Sequence, residues 1–425
     1  MFGRICVVGA VVLQVQIGLR GEDWPQFRGA ERDAVWRESG IMEKFPETGV
    51  HVRWRATVGP GWSSPVVATG RVYVMDSLLN KPKAQERLQC LDEKTGSVLW
   101  SQTVDVTYPD WAFTKGQEGS PTSTPTVRDG KVYTLGQEGD LICRDAKTGS
   151  EVWRRNLITD YKMKEFTGSN SPLLEGNLLI LPIGGKPDAG VIALDKNTGK
   201  EVWHALDEDS TNSAPLIITA GGQRQLVVWT QQSVSSLDPA TGKLWWRERL
   251  LTGSDSAVAA VVSDGQWLLI GGMMLELDAG KPTAKVLWPD SRSLTKRILS
   301  NTSTAILRAG HIYSARTNGE LVCLDAKTGQ QLWTTDKVTD KRSGTGASIH
   351  LTPQGDSVLL FTDKGELIRA QLNPGGYHEI SRTPLITPVY AFGGHKVTWS
   401  PPSFADGCAF VRNEKEVLCA EMKRP

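Results

Sequence analysis

The chain has 425 residues, 39% of them hydrophobic and 22% charged, with 48 Lys and Arg against 47 Asp and Glu for a formal net charge of +1. Charges of both signs are spread along it with no basic run to neutralise phosphates, which excludes the electrostatic footprint of a nucleic-acid partner. Length alone suggests two or three domains, but closed β architectures exceed that prior as single units, so domain count depends on whether the chain repeats.

The chain opens with Arg4, an apolar stretch from Ile5 to Leu13, and then Glu22-Asp23. Residues 1–21 therefore read as a secretory signal peptide, too short in its apolar part to cross a bilayer comfortably, and place the protein in the periplasm or outside the cell. Cys6 precedes the apolar stretch and is not a lipobox cysteine. Residues 22–49 form a short capping segment containing Trp24-Pro25-Gln26-Phe27-Arg28-Gly29.

From residue 50 to 425 one pattern recurs. An Asp is followed by Thr-Gly and then Trp at Asp92, Thr95-Gly96 and Trp100, and again from Asp145 to Trp153, Asp195 to Trp203, Asp238 to Trp246 and Asp325 to Trp333. Asp278 to Trp288 is a stretched copy, and Ala370-Gln371 and Ala420-Glu421 stand where two eroded copies belong. These eight copies lie 40–53 residues apart, a period that means stacked supersecondary units. A turn glycine before an apolar strand keeps the same count, at Gly70, Gly130, Gly176, Gly222, Gly265, Gly310, Gly355 and Gly407.

β-Branched and aromatic residues bounded by Gly, Asp and Asn predict four short antiparallel strands per unit. The Asp-x-x-Thr-Gly element joins the third strand to the fourth, its carboxylate accepting backbone N–H groups and its Gly taking a positive φ. The recurring Trp is predicted to pack against the neighbouring unit. Eight such units predict an all-β, eight-bladed β-propeller, with His51 to Arg55 supplying the outer strand that the last unit lacks. Cys90, Cys143, Cys323 and Cys419 share one repeat position and read as small buried strand residues. Cys408 and Cys419 are near in sequence, and their pairing is a question of geometry.

The tandem Leu-Asp-x-x-Thr-Gly-x-x-x-Trp copies resemble the pyrroloquinoline-quinone (PQQ)-type propeller repeat over residues 50–425, and the Trp24 to Gly29 hexapeptide resembles a signature of exported planctomycete-type propeller proteins. The resemblance implies the fold of quinoprotein alcohol dehydrogenases. It implies no single function, because the repeat occurs in those dehydrogenases, in the propeller lipoprotein of outer-membrane protein assembly and elsewhere.

Long segments fall on one face, from Met75 to Arg87, Ser101 to Gly119, Pro182 to Gly190, Pro289 to Ser300 and Asn373 to Lys396, and mark it as the binding face or as the face that tolerates drift. The innermost strands begin there with hydroxyl and amide side chains, including Ser64, Thr124, Asn170, Asn212 and Asn301, together with His350. Such a ring holds a polar ligand or ordered water. Trp62 and Trp399 occupy equivalent registers in the first and last units and form either an aromatic platform at the channel mouth, with Trp111 and Phe113 above it, or a packed plug.

A PQQ dehydrogenase, by the resemblance, needs a vicinal Cys pair, a calcium site of Glu and Asn, and a catalytic Asp. No adjacent cysteines exist, and Asn170 with Glu118 or Asp110 lacks a supporting spacing for calcium. The six histidines form no zinc pattern, there is no G-x-S-x-G, and Gly271-Gly272 and Gly393-Gly394 are turn glycines. The basic segment from Asp290 to Arg297 reads as solvated surface. The expectation is a monomeric, exported propeller that binds a protein, peptide or glycan without catalysis. The alternatives are a PQQ- and calcium-dependent quinoprotein oxidoreductase and an envelope assembly factor.

Overall fold

The computed structural model describes residues 21–116, 118–165, 170–252, 257–289, 299–300, 302–342 and 346–424. The expected signal segment up to residue 20, the segment from Asp290 to Arg297 and Asn301 lie outside them.

Runs such as Val72-Tyr73-Val74 and Leu179-Ile180-Leu181 become second strands with essentially no exposed surface on either side. Both faces are covered because each sheet is sandwiched between two others, which is why these strands read as continuous apolar runs and not as alternation. Eight four-stranded antiparallel sheets result, seven in simple sequence order and the eighth in the order Val52–Thr57, Glu416–Glu421, Cys408–Arg412, Ser403–Ala405. We number them blades 1 to 8 from the sheet beginning at Val66. Their innermost strands are Val66–Ala68, Thr126–Arg128, Leu173–Glu175, Leu216–Ala220, Val262–Asp264, Ile306–Arg308, Ile349–Gln354 and Ser403–Ala405.

The third turn of blades 1 to 6 is built by the repeat aspartate. Asp145 Oδ1 accepts the backbone N–H of Lys147 at 3.0 Å and of Thr148 at 2.7 Å, and the Thr148 hydroxyl at 2.9 Å. The Thr148 amide and then its hydroxyl hold the Asp145 carboxyl below its ordinary range. Gly149 follows at φ +75°, and an added Cβ there would stand 2.7 Å from the Trp100 ring of the preceding blade. The same contact joins Trp54 to Gly96, Trp153 to Gly199, Trp203 to Gly242 and Trp288 to Gly329. The indole nitrogens complete it: Trp54 donates to the Glu93 carbonyl, Trp100 to Ala146, Trp153 to Lys196, Trp203 to Pro239, Trp288 to Ala326 and Trp333 to Asn373. Trp54, Trp100, Trp153, Trp203 and Trp288 thus lie against the Gly of the next blade's turn and bond a carbonyl of that turn, Trp333 keeps the carbonyl bond alone, and Trp246 donates instead to Gln225 Oε1 of its own blade at 2.9 Å.

Two details were not legible in the repeat. Trp54, on the strand that closes blade 8, stands in the register of the repeat Trp, opposite Cys419 as Trp100 stands opposite Cys90. In blade 7 the position belongs to Ser381, whose hydroxyl accepts the backbone N–H of Phe45 at 2.9 Å, and the buried Phe45 ring joins the neighbouring core cluster. In all eight blades the pairing of the outer strand skips the residue next to that position, for example Leu99, Val152 and Val202. A bulge at this register twists the edge strand and blunts it as a template for further pairing.

The expected long loops are partly regular. Met75 to Arg87 is an extension of the hairpin between Arg71–Asn80 and Lys83–Asp92, paired throughout. Asn373 is the tight third turn of blade 7, so its fourth strand, Gly376–Pro384, takes up the first half of the segment expected as loop. Cys408 and Cys419 sit diagonally on adjacent strands as free, buried thiols.

Candidate functional site

The capping segment enters the ring from the face of the short turns. Trp24 pairs with Val67 of blade 1 through N–H to O bonds of 2.8 and 2.9 Å, the Pro25 carbonyl accepts the Val127 N–H of blade 2, and the Trp36 N–H donates to Pro353 of blade 7. Arg32, buried in the channel, donates to the carbonyls of Pro172 and Ser171 in blade 3 and to Gln26 Oε1. Burial, followed by repulsion from Arg28 and Arg128, pushes the Arg32 guanidinium down to about 9. Segment 24–36 thereby bridges blades 1, 2, 3 and 7 across one end of the channel, leaving a space of about 940 Å³ between it and the innermost strands of blades 4 to 6. Gly29 lies at φ +82° against the Trp24 ring, and Trp36 stacks on Phe404 with centroids 4.9 Å apart.

Above this plug lies a cavity of about 440 Å³, with Phe27 of the plug on its wall. The rest of the wall comes from the segments that lead into the innermost strands. Of the residues expected at the site, Trp62, Thr124, Asn212, His350 and Trp399 line it. Ser64 is buried behind the wall, its N–H donating to Thr124 Oγ1 at 3.0 Å. Asn170 is not on the wall, which corrects its expected place. It is wholly buried, and its Nδ2 donates to the Pro182 and Thr211 carbonyls and to Ser210 Oγ, tying the blade 3 and blade 4 segments together.

Trp111 and Phe113 also fall away from the cavity. They occupy the short 3₁₀ turn Asp110–Phe113, where Phe113 packs with Ala84, Tyr108 and Ala112 beside the blade 1 hairpin, and Lys81 Nζ lies 6.0 Å from its ring. Trp111 is 60% exposed. The aromatic partners of Trp62 and Trp399 are instead Tyr390 and Phe392, from a hairpin between blades 7 and 8 whose strands are Tyr390–Phe392 and His395–Val397. Its turn is Gly393-Gly394, with φ of +56° and +79°, and two adjacent positive-φ glycines between alternating residues were the available signal for it.

Trp62 and Trp399 meet edge to face, with centroids 5.1 Å and planes 70° apart, and Tyr390 and Phe392 pack on them at 5.1 and 4.7 Å. The rings pack on one another, and Trp62, Phe392 and Trp399 line the cavity, but the expected platform with Trp111 and Phe113 above it is not formed. Trp399 Nε1 donates to the Gly346 carbonyl at 3.1 Å. The Trp62 ring rests on Gly119, where any Cβ would stand 2.2 Å from it.

Deeper in the channel the blades are linked by hydroxyls. Ser64 N–H donates to Thr124 Oγ1, Thr124 N–H to Ser171 Oγ at 3.2 Å, Ala260 N–H to Thr304 Oγ1 at 3.0 Å, and Ile349 N–H to Ser303 Oγ at 3.0 Å. His350 Nε2 lies 2.9 Å from the Trp399 carbonyl, which accepts a proton and offers none, so that nitrogen carries the hydrogen. Burial pushes the ring down to about 4, and it is neutral at pH 7. Among the described residues no Asp, Glu, Lys or Arg lines the cavity, and no group of His, Cys, Asp and Glu is placed to hold a metal ion.

A carboxylate stands near the aromatic cluster. Glu414 is buried, and that burial, against the attraction of Arg412, raises its carboxyl to about 7. Arg412 itself donates to the Met75 and Gly59 carbonyls at 2.6 and 2.7 Å and locks blade 8 to blade 1.

A PQQ-repeat family model described as outer membrane protein assembly factor BamB matches residues 45–157, 84–335 and 187–383. The chain is a member of the PQQ-like propeller family. It is similar to the outer membrane protein assembly factor BamB of Burkholderia pseudomallei, 26% identical over 267 residues that make up 61% of this chain and 65% of that one. It is also similar to the quinoprotein alcohol dehydrogenase PedH of Pseudomonas putida, 32% identical over 119 residues, 26% of this chain and 20% of the relative. The chain thus spans just under two thirds of the first relative and a fifth of the second. The crystal structure of quinohemoprotein alcohol dehydrogenase from Comamonas testosteroni superimposes with a TM-score of 0.64 at 14% identity, over 95% of this chain and 81% of that one. At that identity the likeness is one of fold.

Proposed function

We propose that this PQQ-like propeller is an exported, monomeric, non-catalytic binding protein that engages a protein, peptide or glycan of the cell envelope on the face opposite the plug. The observation that carries this reading is the character of the cavity wall. It joins packed aromatic rings to a ring of hydroxyls and one neutral imidazole, and among the described residues it presents no convergent acid, base or nucleophile.

The same wall supports this reading over a PQQ site. The quinone carries carboxylates, and the described lining offers them no cation, direct or metal-borne. Asn170, the one expected calcium ligand in the channel segments, is wholly buried and lies off the cavity wall. The five described cysteines are buried thiols within the blades. Titrating the purified chain with PQQ and calcium, read by quinone absorbance and Trp fluorescence, is expected to leave both signals unchanged. Saturable calcium-dependent binding would instead support a quinoprotein oxidoreductase.

A second reading, a scaffold in outer-membrane protein assembly, is favoured by the family match across residues 45–383 and by the Burkholderia relative. Its test is photo-crosslinking from positions on the loop-bearing face, such as Trp111, in intact envelopes. Adducts with membrane-assembly proteins would support it, and their absence would return the role to ligand binding.

A further inference from the structure

We infer that the cavity above the plug binds an uncharged saccharide of one or two rings, or the end of a longer glycan, an inference that rests on the binding reading above. The dimensions set the size. Segment 24–36 crosses one end of the channel and places Phe27 on the cavity wall, so the plug bounds the space from that side. The volume of about 440 Å³ falls in the range of roughly 300–1,000 Å³ over which pockets bury small molecules.

The wall sets the charge. A charged ligand would surrender its hydration and find no counter-ion among the described lining residues, the penalty of an unpaired buried ion. His350 supplies no charge either, since its burial outweighs the Trp399 carbonyl and keeps the ring neutral at pH 7.

The hydroxyls set the chemistry. Thr124, Ser171 and Thr304 each accept a backbone N–H from a neighbouring segment, and each therefore keeps its own O–H to donate. Thr122 Oγ1 is in the same position, accepting Gln137 Nε2 at 2.7 Å. A wall that presents several hydroxyl donors matches a ligand dense in oxygen acceptors. At the two ends, Phe27 and the cluster of Trp62, Phe392 and Trp399 offer aromatic surface to the C–H faces of a sugar ring. Acceptor-rich edges and apolar faces on one small uncharged body are the distinguishing chemistry of a neutral saccharide.

The test is calorimetric and fluorescence titration of the purified chain with glucose, galactose, mannose, maltose and cellobiose, and with glucuronate and glucosamine as charged counterparts. At least one neutral sugar should bind saturably and change Trp fluorescence, with its charged counterpart at least about tenfold weaker. Trp399→Leu should weaken that binding by about tenfold or more, and Thr122→Val, whose hydroxyl bonds one side chain, by about fivefold with the melting temperature held. Should Trp399→Leu fail to fold, Thr122→Val alone maps the site. No saturable binding by any neutral member, equal binding by charged members, or binding that Thr122→Val leaves intact overturns the inference. The quinone titration on the same sample separates the two levels: quinone binding removes the reading beneath, whereas failure of sugars and quinone together removes only the saccharide.

Discussion

The contact between Trp203 of blade 3 and Gly242 of blade 4 allows the cement between blades to be measured as a coupling energy. Gly242 lies at φ +73°, and a Cβ there would sit 2.6 Å from the indole of Trp203. Gly130, at φ +70°, has open space where its Cβ would go. Gly130→Ala should therefore cost only the left-handed backbone penalty, about 1–2 kcal/mol. Gly242→Ala should cost that plus the displacement of a packed indole, about 1–3 kcal/mol more. Trp203→Ala, at a buried position whose Nε1 donates to Pro239 at 3.1 Å, should cost about 3–5 kcal/mol. Once the indole is gone the added methyl has nothing to strike. The double variant should then be less destabilised than the sum of the singles by about 1–3 kcal/mol, read from urea unfolding midpoints at constant slope. Additivity within about 0.5 kcal/mol, or a Gly242→Ala no worse than Gly130→Ala, would refute the stacking of Trp on the next blade's glycine as a source of stability.

Three further outcomes are expected. Glu86 is buried, accepts Tyr108 Oη and the Gln137 N–H at 2.8 Å each, and burial raises its carboxyl to about 7 against those hydrogen bonds, so the fold favours the protonated form. Its contribution is complete below the ordinary carboxylate range and is lost as pH rises through about 7. Glu86→Gln, which keeps an acceptor oxygen, should accordingly match the parent at pH 5 and exceed it by up to about 3 kcal/mol at pH 8 in urea unfolding, and an equal effect at both pH values would contradict the assignment. Arg32→Ala removes donors to the Pro172 and Ser171 carbonyls and to Gln26, and should lower stability by about 2–4 kcal/mol and speed proteolysis within residues 24–36. Deleting residues 21–57 strips blade 8 of its outer strand and of Trp54, and should abolish the single cooperative melt seen by calorimetry, whereas an unchanged transition would show that ring closure adds nothing.

What the sequence determined by itself is what repeats. The Asp-x-x-Thr-Gly turn is a local device, since its bonds run from Asp145 to residues two and three positions on, and any chain carrying it makes the same turn. Repetition at 40–53 residues then fixes blade number, and a last copy without an outer strand fixes where the N-terminus must go. The register of Trp54 was equally present in the text but hidden by its distance from the blade it completes.

The site was another matter, because its parts are singular and come together only when the ring closes. Trp62 and Trp399 could be matched by register, being repeat positions in blades that meet at the seam. Phe27, Tyr390 and Phe392 belong to no repeat, and a capping segment that crosses the channel or a hairpin that folds over its mouth obeys no period. Asn170 and Thr124 stand in similar polar stretches that each end in proline, yet Asn170 shares the register of Ser123, which bonds a neighbouring segment, and Thr124 that of Ser171, which lines the cavity. Local hydrogen bonding and packing periodicity are written into neighbouring residues. Which polar side chains face a shared interior is decided by the closure of eight blades on one another, and only the tertiary structure contains it.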